Sequence, residues 1–150
     1  MEILVVDSNR YEAELTSRVL GRYVRNPIRV VQDGREAMAL VFGIGERLGR
    51  SPRIPQLILI DTHLQITDVS ELVRTFQTDP RTAHVPVILM ASSQAECEAR
   101  ADSQEPGCTM IVKPLDLTKL AEALHNAEMH WALLRVEVIP QRTIPFRVTV

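Results

Sequence analysis

The stretch LILID, residues 57–61, consists of four consecutive apolar residues followed by a carboxylate. Because apolar and polar residues do not alternate in it, the run predicts a strand buried on both faces, as in a parallel sheet covered by helices. Three more runs of this kind occur, at Ile3–Val6, Val87–Met90 and Met110–Val112. A weaker run, Ile28–Val31, contains an arginine, which indicates a strand at the edge of the sheet.

A helix is predicted after each strand, because helix-start signals and a helical spacing of apolar residues follow each run. Asn9, Asp68, Ser93 and Asp116 are the predicted starts of four helices, and the turn Asp33-Gly34 precedes the other one. The predicted apolar faces are Tyr11, Leu15 and Val19; Ala37, Leu40, Val41 and Ile44; Leu72, Val73 and Phe76; and Leu120, Leu124, Ala127 and Trp131. Five such βα units predict an α/β protein, a (βα)5 doubly wound parallel sheet with right-handed crossovers.

Length and composition bound the classes of protein that fit this pattern. The 150 residues suit one domain, predicted at 1–134, with a C-terminal tail at 135–150. A net charge of −2 gives no electrostatic case for binding nucleic acid or an anionic membrane. No apolar run approaches the roughly 20 residues that span a bilayer, and no basic leader precedes the first strand. With Cys97 and Cys108 as the only cysteines, we expect free thiols and a cytoplasmic protein.

Two segments lie outside the βα pattern. Residues 45–56 are rich in glycine, proline and arginine and predict a surface loop, whose arginines at 47, 50 and 53 form a solvated face. In the tail, Phe146, Val148 and Val150 alternate with polar residues, which is a strand period with one apolar face. Since a lone strand is not stable in water, the tail must pack on its own domain or on a partner.

Polar residues stand where several of the predicted strands end. Asp7 follows the first strand, Asp61 ends the third, and Lys113 follows the fifth. If the strand order is 2-1-3-4-5, Asp7 and Asp61 lie side by side at the crevice where the order reverses, with Lys113 close by. Two carboxylates and one ammonium group suit a hard divalent cation, and a carboxylate held there can attack a phosphoryl group.

The four segments ILVVD, LILID, PVILM and IVKP, spaced as they are here, resemble the CheY-like receiver domain of response regulators. The resemblance covers residues 2 to about 130 and implies the flavodoxin-like strand order 2-1-3-4-5. The segment HWALLRVEVIP and the long loop before the third strand are similar to the small stand-alone regulators associated with bacterial phytochromes. A resemblance of this kind implies a signalling module rather than an enzyme.

The resemblance also implies roles for individual residues. Asp61 is implied as the phosphoacceptor for a sensor histidine kinase, with a phytochrome-like kinase as a candidate, and Lys113 as the contact to the phosphoryl group. Mg²⁺ is implied at the acidic position Asp7, at Asp61 and at the backbone carbonyl of His63. The peptide bond between Lys113 and Pro114 is often cis in this family.

Three positions depart from the family pattern. Ser8 stands where the family has a second acidic residue, so we expect weak Mg²⁺ binding and a serine that neighbours the helix cap. Ala91 stands at the position of the switch hydroxyl, and Met110 at the position of the switch aromatic. Phosphorylation of Asp61 remains possible with these residues, whereas the usual hydroxyl–aromatic switch does not.

Three functions follow from these residues as hypotheses. The leading one is a single-domain receiver in a phosphorelay that signals by protein contact. The alternative is a phosphorylation-independent pseudo-receiver that acts as a protein-interaction module. The third, a phosphatase with an aspartate nucleophile, requires an acid two residues after Asp61, where this chain has His63.

A homodimer is also predicted, formed by the fourth and fifth helices and the C-terminal tail. The reason for this prediction is that Trp131 and the apolar face of the alternating tail leave apolar surface that must be covered.

Overall fold

Five apolar runs form five strands, and a helix follows each of them. The structure is a computed structural model, and it describes residues 2–45, 48–101 and 108–126. The elements are β1 Ile3–Val6, α1 Arg10–Tyr23, β2 Ile28–Val31, α2 Gly34–Phe42, β3 Leu57–Asp61, α3 Val69–Thr78, β4 Val87–Ala91, α4 Gln94–Ala101, β5 Thr109–Val112 and α5 Leu117–Asn126.

The strands form one parallel sheet in the order β2-β1-β3-β4-β5, which confirms the predicted order and fold class. As predicted, β2 lies at an edge. The register pairs Val6 of β1 with Ile60 of β3, and Asp61 of β3 with Met90 of β4. All carboxyl ends of the strands therefore meet at one edge, where ligands of open α/β sheets bind.

The core has two layers because both faces of the sheet are covered. Ile58 and Ile60 of β3 pack into the layer that includes α2 and α3. Leu57 and Leu59 pack into the opposite layer, which includes α1 and α5. Burial on both faces explains why the strand is apolar at each of these four positions rather than at every second one.

The predicted helix starts are confirmed by hydrogen bonds. The side chains of Asn9, Asp33, Asp68, Ser93 and Asp116 each accept from the backbone N–H three residues later. Such bonds satisfy N–H groups that have no partner within the helix.

Two predicted helix faces are wrong in part. In α1, Tyr11 and Leu15 are exposed, and the sheet side carries Ala13, Thr16 and Leu20 instead. The residues against the sheet are thus mostly smaller than those predicted, which suits a helix lying close to it. In α2, Gly43 adopts a left-handed conformation and ends the helix at Phe42, so Ile44 lies beyond the helix and is exposed.

The loop between α2 and β3 is less exposed than predicted. Pro55 and Gln56 are buried, and the Gln56 side chain accepts a 2.6 Å hydrogen bond from the Asn26 side chain. Arg53 pairs with the carboxylate of Glu2 at 2.7 Å, so its guanidinium is not simply solvated. The loop is fastened to the start of the sheet because buried polar groups require partners.

Several predictions fall outside the described residues: Arg47, Ala127, Trp131, the tail at 135–150 and hence the domain boundary and the dimer surface. The side chain of Leu124 is likewise not described. Among the helices of the described segments, none combines the length and the apolar character needed to span a bilayer.

Candidate functional site

The carboxyl edge of the sheet brings Asp7, Asp61 and Lys113 together. The Lys113 ammonium lies 2.7 Å from Asp7 Oδ2 and 3.3 Å from Asp61 Oδ1. The two carboxylates are neighbours because β1 pairs with β3. Lys113 follows β5, on the far side of β4, and its long side chain spans the distance. The structure thus places these three residues in one pocket, and their functional roles remain predictions.

A fourth residue, Glu12, completes the group. Its Oε1 atom lies 2.6 Å from Lys113 Nζ. Asn9 and Glu12 have the spacing of a capping box, in which the Glu12 carboxylate would accept from the Asn9 N–H. That N–H donates instead to Asp7 Oδ1 at 2.9 Å, which leaves the Glu12 carboxylate for the lysine. We refer to Asp7, Glu12, Asp61 and Lys113 as the acid–lysine cluster.

Burial differs sharply within the acid–lysine cluster. The side chain of Asp7 is fully buried, that of Asp61 is 7 % exposed and that of Lys113 is 12 % exposed. The side chain of Glu12, by contrast, is 45 % exposed. The cluster therefore has a deep part formed by two aspartates and a rim formed by the glutamate.

The charges of the cluster perturb one another. Burial raises the pKa of Asp61, the Lys113 charge lowers it, and the Asp7 charge raises it, with a net increase. Burial lowers the pKa of Lys113, but hydrogen bonds to Asp7 and Glu12 and the charge of Asp61 outweigh it, and the net change is upward. Lysine is therefore held protonated beside an aspartate whose ionised form is disfavoured by burial.

The donor set fits a hard divalent cation. One oxygen each of Asp7, Glu12 and Asp61 lies within 4.8 Å of the other two. Two opposite ligands of a six-coordinate Mg²⁺ are about 4.2 Å apart, so small movements bring these oxygens to one ion. An ammonium group already lies among them, which shows that the pocket accommodates a cation.

His63 contributes to the site through its backbone N–H, which hydrogen-bonds to the Asp61 carboxylate. The predicted role of its carbonyl as a metal contact stays a prediction. Its imidazole Nε2 lies 3.0 Å from Glu96 Oε1.

Ser8 joins three loops at this edge. Its hydroxyl donates to the Gln32 carbonyl at 2.8 Å and accepts from the Gln65 N–H at 3.0 Å. It thus ties the loop after β1 to those after β2 and β3. A serine suits this position because its hydroxyl donates and accepts at once, whereas a carboxylate only accepts.

On the other side of Asp61, the residues around β4 carry no switch hydroxyl. Ala91 is fully buried, and Met110 of β5 is half-buried. Glu96, near the start of α4, accepts from the Ser92 N–H at 2.9 Å in addition to its contact with His63. We refer to Ala91, Met110, His63 and Glu96 as the switch side.

Glu96 is held strongly in its ionised form. Burial alone would raise its pKa, but the nearby Thr62 hydroxyl and the hydrogen bonds from the Ser92 N–H and His63 lower the pKa to about 2. The sequence does not reveal this role, because the position of Glu96 three residues after Ser93 is already explained by a capping pattern. The sequence feature that could have indicated this role is His63, two residues after Asp61, which contacts Glu96 in the structure.

Two smaller expectations are confirmed. The peptide bond between Lys113 and Pro114 is cis. Cys97 and Cys108 are both free thiols of intermediate exposure.

Comparison with known proteins finds that the chain is similar to response regulators. Response regulator Rcp1 from Synechocystis sp. is 27 % identical over 130 residues, which cover 86 % of this chain and 87 % of that protein. The structure of the bacteriophytochrome response regulator AtBRR matches with a TM-score of 0.78 and 27 % identity, over 89 % of this chain and 96 % of the other. The Mn²⁺-bound form of Rcp1 matches with a TM-score of 0.63 and 25 % identity, over 97 % and 99 %.

No protein-family model matches the chain. Its relatives and structural neighbours are nevertheless response regulators that include phytochrome-associated ones, so the predicted resemblance is confirmed. The chain has the CheY-like α/β fold, with the five-stranded order 2-1-3-4-5, and is similar to the response regulator receiver domains of two-component systems.

Proposed function

We propose that this receiver accepts a phosphoryl group on Asp61 from the phosphohistidine of a cytoplasmic sensor histidine kinase. The observation that carries the proposal is the position of the Lys113 ammonium, 3.3 Å from Asp61 Oδ1 at the carboxyl edge of the sheet. Phosphoryl transfer requires positioning and charge neutralisation more than covalent chemistry by the protein. An aspartate beside a fixed ammonium group meets both requirements.

The proposed step is an in-line displacement at phosphorus. A carboxylate oxygen of Asp61 attacks the phosphorus, the P–N bond to the kinase histidine breaks, and the imidazole nitrogen leaves with the bonding electron pair. The product on this chain is an aspartyl phosphate. Lys113 neutralises charge on the phosphoryl oxygens, and the His63 N–H holds the carboxylate in place.

We propose Mg²⁺ as the cofactor, held by Asp7, Asp61 and the carbonyl of His63. Bound there, the ion neutralises negative charge on the carboxylates and on the transferred group. The acidic cluster supports this proposal, as does the Mn²⁺ in the structure of the related Rcp1. We expect weak affinity because Ser8 offers no second carboxylate beside Asp7.

The surface next to Lys113 supports transfer from a protein donor. A groove of about 490 Å³ runs between α1 and the loop after β5, and its lining includes Tyr11, Leu15 and Leu115 together with Lys113. Tyr11 is 71 % exposed. Because Lys113 lines this groove, we propose it as the contact surface for the donor, and the relatives of the chain make a phytochrome-type kinase our preferred donor.

Intact-mass measurement tests the proposal. We expect incubation with acetyl phosphate and Mg²⁺ to add the mass of one phosphoryl group to the wild-type chain. The Asp61→Asn variant should gain no mass. Asp68→Asn, a matched change at an exposed helix cap where asparagine caps as well as aspartate, should behave as wild type.

A different outcome would change the assignment. If the wild-type chain gains no mass, or if Asp61→Asn gains as much, Asp61 is not the phosphoacceptor. The chain would then be better described as a phosphorylation-independent interaction module. The departures from the family pattern at Ser8, Ala91 and Met110 are the reason for considering that alternative.

We also propose a homodimer, on the sequence pattern of the tail and Trp131 alone. Sedimentation at micromolar concentration should show a dimer that deletion of residues 136–150 weakens. A monomer in both cases would contradict the proposal.

A further inference from the structure

The Lys113 ammonium contacts three carboxylates that come from three different parts of the chain. Asp7 follows β1, Asp61 ends β3, and Glu12 lies in the first turn of α1. The distances from Nζ are 2.7 Å to Asp7, 2.6 Å to Glu12 and 3.3 Å to Asp61. The exposed residue at the rim thus holds the ammonium group as closely as the buried Asp7 does, and more closely than Asp61 does.

A divalent cation and the ammonium group require the same deep oxygens. A Mg²⁺ ion bonded to Asp7 and Asp61 at about 2.1 Å would repel an ammonium group that remained within hydrogen-bonding distance of both. The lysine must therefore shift when the ion binds. It still has to remain close enough to Asp61 to contact a phosphoryl group.

We propose that Glu12 is a positioning residue that holds Lys113 at the rim, so that Asp7 and Asp61 can take a divalent cation while the lysine stays at the site. The inference rests on the cation site of the proposed function and adds a residue to it. Glu12 is suited to this role because its side chain is exposed enough to move outward with the ammonium group.

The local structure leaves Glu12 free for this role. Its own N–H is capped by the Asn9 side chain, and its carboxylate takes no part in the helix start. Replacement of the side chain by glutamine therefore keeps the cap and the fold while it removes the charge that holds the lysine.

The same helix supplies a matched control. Glu14 forms an exposed ion pair with Arg18, at 2.8 Å, outside the acid–lysine cluster. Glu14→Gln removes the same charge from the same helix as Glu12→Gln does. It therefore corrects for the overall change in charge.

Binding of Mn²⁺ to the unphosphorylated protein tests the proposal, with free Mn²⁺ measured by its electron paramagnetic resonance signal. We expect Glu12→Gln to weaken binding roughly fivefold, because the ammonium group then rests on Asp7 and Asp61 and competes with the ion. Glu14→Gln should leave the affinity within about twofold of wild type.

The Lys113→Gln background separates positioning from direct ligation. If Glu12 acts through the lysine, Glu12→Gln should cost clearly less affinity when Lys113 is already replaced. An equal loss in both backgrounds would make Glu12 a metal ligand and overturn the proposal. An effect no larger than that of Glu14→Gln would overturn it too.

A spectroscopic measurement needs no change at Lys113. The chain contains only two lysines, Lys113 and Lys119, so selective ¹⁵N labelling gives two side-chain ammonium signals, which Lys119→Arg assigns. We expect the Lys113 signal to persist at saturating Mg²⁺ in the wild-type protein and to disappear in Glu12→Gln. Loss of the signal in both proteins would contradict the proposal.

The two proposals can fail separately. Normal phosphorylation of Asp61 without the predicted behaviour of Glu12→Gln would remove the positioning role and leave the proposed function intact. Absence of phosphorylation, together with the predicted Mn²⁺ affinities, would remove the proposed function and leave the positioning role of Glu12 intact.

Discussion

The two sides of Asp61 differ in how they depart from other receivers. The acid–lysine cluster lacks one acidic residue, at Ser8, but keeps a lysine that contacts three carboxylates. The switch side lacks both the hydroxyl and the aromatic residue, at Ala91 and Met110. The residues of the proposed phosphoryl acceptance are thus present, whereas those of the family's usual switch are replaced.

Under the proposed function, phosphoryl acceptance and the structural response to it depend on separate residues around one aspartate. On the switch side, His63 is the connection that remains. Its N–H bonds to Asp61, and its imidazole contacts Glu96 near the start of α4. A receiver can therefore lose the family's switch residues without losing every contact between its aspartate and α4.

The largest expected effect is on the rate of phosphorylation, which should distinguish the acid–lysine cluster from the switch side. Lys113→Gln should slow phosphorylation by acetyl phosphate about a hundredfold, because it removes a fixed positive charge from the transferred group. Met110→Leu, on the switch side, should leave the rate within about twofold, as a volume-conserving change. Initial rates of mass gain measure both. Equal slowing in the two variants would show that the sides are not independent.

The next effect is a gain in metal affinity at the acid–lysine cluster. Ser8→Asp should tighten Mn²⁺ binding about tenfold, since it adds a second carboxylate beside Asp7. It should also cost about 1 kcal/mol of stability, because the Gln32 carbonyl loses its donor. Ser8→Ala is the control: it loses the same hydrogen bond and should gain no affinity, which titration with Mn²⁺ will show.

The strand-end residues could be predicted from sequence because of how parallel sheets are built. Carboxyl ends of parallel strands share an edge, so a carboxylate after β1 and another at the end of β3 meet once the strand order is known. The length and apolar character of each run fixed the strands, and the caps fixed the helix starts.

Glu12 and Glu96 could not be predicted in the same way. Each lies three residues after a capping side chain, Asn9 or Ser93, and so satisfies a local pattern that accounts for it. Whether the carboxylate bonds within its own helix or to another element depends on tertiary packing. The face of α1 was predicted wrongly for a related reason. Helical spacing shows which residues share a face, but it does not show whether that face packs on the sheet or is exposed.

The third effect is on the free energy of unfolding, which the buried, ionised carboxylate of Asp61 lowers. Burial raises the pKa of Asp61 above its ordinary 3.8, so the ionised carboxylate destabilises the folded protein at neutral pH. Asp61→Asn should therefore stabilise the fold at pH 7, on the order of 1 kcal/mol.

The pH dependence of that gain follows from linkage. The folded protein binds this proton more tightly than the unfolded chain, so the gain should shrink as pH falls through the raised folded-state pKa and vanish below 3.8. Urea unfolding of wild type and Asp61→Asn at several pH values measures it, with Asp68→Asn as control. A gain that grows toward low pH would contradict the assigned sign.

The smallest effect tests the switch side. Glu96→Gln should lower stability by only about 0.5 kcal/mol at pH 7, because solvent still reaches the Glu96 side chain, which is 18 % exposed, and partly screens its charge near the start of α4. The folded-state pKa of Glu96, about 2, is below its ordinary 4.5. The contribution of the charge is therefore fully present above 4.5 and declines as pH falls toward 2.

Glu98→Gln, on the same helix, is the matched control, because Glu98 bonds only weakly to Gln94, at 3.5 Å. The difference between the two variants in urea unfolding should shrink between pH 5 and pH 3. A constant difference would show that Glu96 stabilises α4 through hydrogen bonds alone. Its contact with His63 would then carry no charge-dependent connection to Asp61, and the two sides of the site would be more separate than the structure indicates.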